Sequence, residues 1–200
     1  MHSTQRDRLL RLAHKSGVIR ARDVGAKGIP RAVLSRVVSS GELQRVGRGL
    51  YAPADRQVSE NAFLAELAIK SPQGIVCLLS ALRFHEITTQ SPFEIWWAVP
   101  SKARAPRIQF PPLRIVRMSH ATLVAGVETH RVDGTNVRIF GVAKTVADCF
   151  KYRGKIGLDV ALEALREALR SKRASVDDIW RYAKICRVAN VMRPYMESIA

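Results

Sequence analysis

The sequence has few of the residues that staple, span or cut. Cysteine occurs three times in 200 residues, at Cys77, Cys149 and Cys186. An odd, widely spaced set in apolar surroundings predicts buried reduced thiols rather than a disulfide framework or a metal site. No apolar run approaches the ~20 residues that cross a bilayer. The opening stretch, MHSTQRDRLLRLAHK, is charged and lacks the apolar centre of a signal peptide, so a cytoplasmic protein is expected. Acids are also short, 17 Asp+Glu against 33 Lys+Arg. A hydrophobic content of 47% with 25% charged residues excludes a disordered chain and fits a packed one.

What is abundant is positive charge. The net of +16 attracts polyanions, of which nucleic acid is the commonest in a cytoplasm. Residues 1–56 hold twelve Lys/Arg and four Asp/Glu, a net of +8; residues 57–200 hold twenty-one and thirteen, again +8. The first segment is therefore roughly two and a half times denser in charge, 8/56 against 8/144.

That first segment carries a recognisable order of elements. Thr4 to about Lys15 has helical spacing in Leu9, Leu10 and Ala13, and Arg20 to Lys27 forms a second short helix ending at Gly28. A third helix opens on Pro30 and stops at Gly41, a proline at its first position and a glycine just past its end. At ~100° per residue, Val33, Leu34, Val37 and Val38 fall within an arc of about 140°. The opposite face is Arg31, Ala32, Ser35, Arg36 and Ser39, with no acid and no long polar chain except Arg. Two short apolar segments follow, Leu43 to Val46 and Leu50 to Ala52, pinched around Gly47-Arg48-Gly49. Helix, helix, recognition helix and hairpin make a winged helix-turn-helix over residues 1–56. A GxGxxG phosphate loop is disfavoured, because no helix follows and the third glycine is absent.

Residues 57–200 read as a second, α+β domain: a mostly antiparallel sheet with helices segregated after it. Glu60 to Ile69 is helical, and residues 75–85 are a helix or a strand–helix mixture. Phe93 to Pro100 is a strand, Lys102 to Arg107 a basic loop, and Leu113 to Met118 and Val127 to Val132 further strands. An Asp133-Gly134 hairpin turn leads to a strand near Val137 to Phe140. Val142 to Tyr152, Leu158 to Ser171, Ser175 to Ile185 and Val188 to Ile199 are helices.

The residues of catalysis are not arranged for it. His85-Glu86 lacks the second histidine of a zinc helix. Glu128 and His130 share one face of a strand, a pair that is far more often surface chemistry than a dyad. A nuclease would want clustered carboxylates for Mg²⁺; Asp133 stands in a turn and Asp148 mid-helix. Ser80, Ser101 and Ser119 lack a nucleophile elbow. Neither an enzyme, a metal site nor a cofactor is expected.

The order of these features resembles the AbiEi family, the antitoxin half of type IV toxin–antitoxin and abortive-infection operons. Leu34-Ser35-Arg36 and the wing Leu43 to Tyr51 are similar to that family's winged helix. Leu79 to Thr88, Trp96 to Pro100 and Gly141 to Asp148 resemble segments of its C-terminal domain, and Glu86 departs from the glycine expected after the histidine. The resemblance implies a repressor of its own operon, bound to promoter inverted repeats, whose C-terminal domain counters a nucleotidyltransferase-like toxin with or without direct contact.

Within that reading, Arg31, Ser35, Arg36 and Ser39 would enter the major groove. Arg45 and Arg48 on the wing, with Lys15, Arg20, Arg22 and Lys27, would hold phosphates. Lys144, Thr145 and Asp148 form either a functional patch or a structural link at a helix start. Two other readings stay open: a winged-helix regulator with a ligand-sensing domain, in which Trp96-Trp97 lines a pocket, and a DNA-acting nuclease.

Overall fold

The structure is a computed structural model that describes residues 4–56, 59–106, 108 and 111–198. Arg107 of the basic loop and Ile199 of the last expected helix lie outside the described residues. The chain forms two compact units, Met1–Ile69 with Arg131–Asn136, and Lys70–His130 with Val137–Ala200.

In the first unit, α1 (Gln5–Ser16) begins at Thr4, whose hydroxyl accepts from the Asp7 amide while the Asp7 carboxylate accepts from the Thr4 amide. This reciprocal cap satisfies amides that the helix itself leaves without partners. β1 (Ile19–Arg20), α2 (Ala21–Ala26), α3 (Arg31–Ser39), β2 (Leu43–Gly47), β3 (Leu50–Pro53) and α4 (Ala62–Lys70) follow. The strands form an antiparallel sheet in the order β1-β3-β2. Leu9, Ala13, Ile19, Val24, Ile29, Leu34, Val37 and Leu43 fuse helices and sheet into one core. Each large side chain so buried contributes about 1.5–3 kcal/mol. The three-helix, two-strand wing read from sequence is present; β1 adds the third strand.

Residues 131–136 are the distant part of this unit. A Cβ at Gly17 would sit 1.5 Å from the Asp133 carbonyl oxygen, and Gly17 has φ +68. Only glycine satisfies both demands there. Beside it the Arg131 guanidinium donates to the Lys15 carbonyl, and Arg56 pairs with Asp133 at 2.5 Å.

After α4 the chain forms β4 (Ile75–Val76), α5 (Leu78–Phe84), β5 (Ile95–Pro100), β6 (Leu113–Met118), α6 (His120–Val124), β7 (Val127–Val132) and β8 (Thr135–Phe140), all of the second unit except the facing ends of β7 and β8 within residues 131–136. The helices α7 (Val142–Lys151), α8 (Arg153–Ile156), α9 (Leu158–Arg170), α10 (Val176–Cys186) and α11 (Ala189–Glu197) complete it. The class is α+β, as read. The sheet, in the order β6-β5-β4-β8-β7, is mixed rather than mostly antiparallel: β5–β6 and β4–β8 are parallel. The segment between β5 and β6 is long enough to return the chain to the starting edge, which a parallel pair requires.

Trp96 and Trp97 point to opposite faces of β5, and both are buried, 3% and 0% exposed. The pocket-lining role weighed for them gives way to core packing on both faces of an interior strand. α7 is the central helix of this unit, buried from Val142 through Phe150. All three cysteines are free and buried, as expected, and burial raises the pKa of each thiol.

Candidate nucleic-acid interface

α3 is built to show one face. Pro30 caps it with extended backbone, Ser40 ends it, and Gly41 follows at φ +77. Leu34 and Val37 are buried, Val33 and Val38 half-buried, so the apolar stripe turns inward as its angles predict. Arg31, Ala32, Ser35, Arg36 and Ser39 are all exposed. Arg31, Ser35 and Ser39 line a surface groove of about 190 Å³ along the helix with Leu34, Val38 and Tyr51. Arg36 is not among the groove residues and is exposed one residue further round α3. Tyr51 was not among the residues read from sequence. Its signal was there: on β3, Leu50 and Ala52 are buried, so Tyr51 between them turns to the other face.

The wing is the β2–β3 hairpin. Its pairing runs Leu43 to Pro53, Gln44 to Ala52 and Arg45 to Tyr51, then shifts between Arg45 and Gly47. The shift is a bulge, which twists the ribbon. Arg48 stands exposed at the turn beside Gly49 at φ +71. Arg45 is exposed but donates to the Gly47 carbonyl at 3.2 Å, which holds its guanidinium along the hairpin.

The acids of this unit are engaged. Glu42 accepts from Ser40 at 2.7 Å and pairs with Arg6; those bonds, that from Ser40 first, hold its carboxyl below the usual range. Asp7 belongs to the α1 cap, and Asp55 lies 3.4 Å from His14. Among the described residues, Arg31, Arg36 and Arg48 form no ion pair. Lys15 and Lys27 are exposed; Arg22 is exposed and bonded to Asp23 at 3.3 Å. Arg20 is half-buried, and burial, then the nearby Arg22, lowers its pKa.

Residues 7–54 match the family model described as "Transcriptional regulator, AbiEi antitoxin". The match covers this segment and not the remainder of the chain. The model is that of a transcriptional regulator, and α3 with the wing lies wholly inside the matched residues. The fold is similar to the crystal structure of the RV2827C protein from Mycobacterium tuberculosis, at a TM-score of 0.59 and 13% identity. That likeness covers 96% of this chain and 77% of the other, and it speaks to architecture alone. No curated protein matches the sequence. No described helix is long and apolar enough to cross a membrane.

Beyond the matched segment, Lys144, Thr145 and Asp148 are brought together, but inside the second unit, each 0% exposed. The Lys144 ammonium pairs with the Asp148 carboxylate and lies 4.0 Å from the Phe140 ring centroid. Thr145 donates to the Phe140 carbonyl at 3.0 Å, and Cys186 donates to Asp148 at 3.2 Å. Burial pushes the Asp148 carboxyl up, against the opposing pull of Lys144. Burial, with Asp148 nearby, also raises the Tyr152 phenol to about 12. The trio has a hydrogen-bonded place in the core and no surface to offer a partner.

Proposed function

We propose that the chain is an antitoxin that represses its own operon. The winged helix binds inverted repeats in the promoter, and the second unit counters a nucleotidyltransferase-like toxin. One observation carries the DNA half. Arg31 and Arg36 stand unpaired on an acid-free helix face, with Arg48 unpaired at the tip of the adjoining hairpin. An Arg in the major groove gives two parallel hydrogen bonds to a guanine edge, whereas an Arg at a wing tip meets phosphate or minor groove.

The two roles separate by measurement. Arg36→Ala relaxes preference at one base pair by about 1–3 kcal/mol. Arg48→Ala weakens binding to every sequence and flattens the salt slope by about one unit. A gel shift on the upstream promoter, with the full chain and both variants over a salt series, checks this. Wild-type affinity in both variants removes the assignment. The antitoxin half rests on the family's description, and its test is growth. Co-expression of the full chain with an adjoining nucleotidyltransferase-like gene rescues cells from it, and failure of rescue removes that half while leaving the DNA half intact.

A further inference from the structure

His85 ends α5, and 43 residues later Glu128 and His130 stand on one face of β7. The fold closes that separation. One ligand atom from each of the three side chains lies within 4.8 Å of the others. Glu128 Oε2 is 2.9 Å from His130 Nε2, and the His85 and His130 ring centroids are 5.6 Å apart at 72°.

From this juxtaposition we infer that His85, Glu128 and His130 form a binding site for a divalent first-row transition ion of the zinc class. Two imidazoles and one carboxylate are a known three-ligand set for zinc that keeps a fourth position open. His85 is 3% exposed, and its Nε2 lies 2.8 Å from the Phe140 carbonyl. A carbonyl only accepts, so Nε2 carries the proton and Nδ1 keeps the lone pair. That outer bond fixes tautomer and ring direction, as outer partners do for metal-bound histidines. The Phe140 carbonyl is itself held by Thr145. A Cβ at Gly141 would fall 2.1 Å from Glu128 Oε1, so the glycine leaves the room in which that carboxylate lies.

The distances are within reach of coordination. Bonds of about 2.0–2.2 Å in a tetrahedron place donors roughly 3.3–3.5 Å apart. The closest pair, at 2.9 Å, must open slightly, and a pair at the 4.8 Å limit must close by about 1.3–1.5 Å. The movable members are the right ones: side chains of Glu128 and His130 are 51% and 32% exposed, while His85 is the buried anchor. The same exposure directs the open coordination position to solvent. His85-Glu86 fails as a zinc motif among chain neighbours; its partners come from β7 instead.

The test is titration of the full chain with Zn²⁺ against a chromophoric chelator, with Co²⁺ absorption reporting ligand geometry. One ion per chain is expected, with tetrahedral-type d–d bands for Co²⁺. His130→Ala and Glu128→Gln, both on the exposed rim, each weaken binding at least about tenfold. His120→Ala, an exposed histidine outside the trio, leaves binding unchanged. Circular dichroism verifies that the variants are folded. Failure of the wild type to take up Zn²⁺ at one per chain, wild-type affinity in both rim variants, or loss of the site in His120→Ala overturns the inference.

Discussion

Asp133 occupies a left-handed backbone position, φ +46, and its carboxylate meets Arg56 where both side chains are at most 10% exposed. Burial alone would raise its pKa, yet the bonds from Arg56 and Ser59 and the Arg56 charge hold it below the usual value. A carboxyl lowered in the folded state stabilises above its unfolded pKa of ~3.9, and that stabilisation disappears as pH falls through the folded value. Asp133→Asn keeps a side chain that tolerates the left-handed position and removes the charge. At pH 7 it is expected to cost on the order of 3 kcal/mol, because it leaves the Arg56 charge buried without its partner. Urea unfolding at pH 7 and at pH 3 checks this: the gap between wild type and variant narrows in acid. The turn itself was legible in the Asp-Gly dipeptide. Its partner Arg56, 77 residues earlier, was not, because no local pattern marks a long-range ion pair.

Among elements, α3 and α7 show the two limits of reading a helix from its sequence. α3 has one apolar stripe, one polar face and both end signals, so its period and its exposed residues were readable, and its start was off by one, Pro30 being the cap and not the first helical residue. α7 is buried on every side, and there periodicity says nothing of which polar residue is where. The i, i+4 spacing of Lys144 and Asp148 was visible; Cys186, brought up by α10, was not. Lys144→Met strands the Asp148 charge and is expected to destabilise by about 3–5 kcal/mol, while Lys144→Met with Asp148→Leu recovers much of it. Thermal unfolding of both variants decides. At α10, Ser175 caps the helix, its hydroxyl accepting from the Asp178 amide at 3.0 Å. Ser175→Ala should cost about 1 kcal/mol in the same assay. Elements too short to hold a period were read poorly: α6, of five residues, went unread, and β4, of two, only as one alternative for residues 75–85. The parallel pairing of β5 with β6 was also invisible, since register between strands is set by neighbours distant in the chain.

For the whole molecule, charge is densest in the segment that matches the regulator family, and the rest of the chain carries an equal basic surplus. The histidine–glutamate cluster was beyond sequence reading for a plain reason: its members are separated by α6 and two strands. The division into units has a genetic consequence. Because residues 131–136 belong with the first unit, the polypeptide passes from one unit to the other after residues 69, 130 and 136. No stop codon or single cut then separates the two. A fragment ending at Ile69 lacks the Asp133 that pairs with Arg56 and the backbone that fills the space at Gly17. Under the proposed function, truncation alleles that remove either half should therefore lose repression and neutralisation together, read by a promoter-reporter assay and by growth on co-expression with the toxin gene. Missense alleles in α3 and in the second unit should instead lose one activity each.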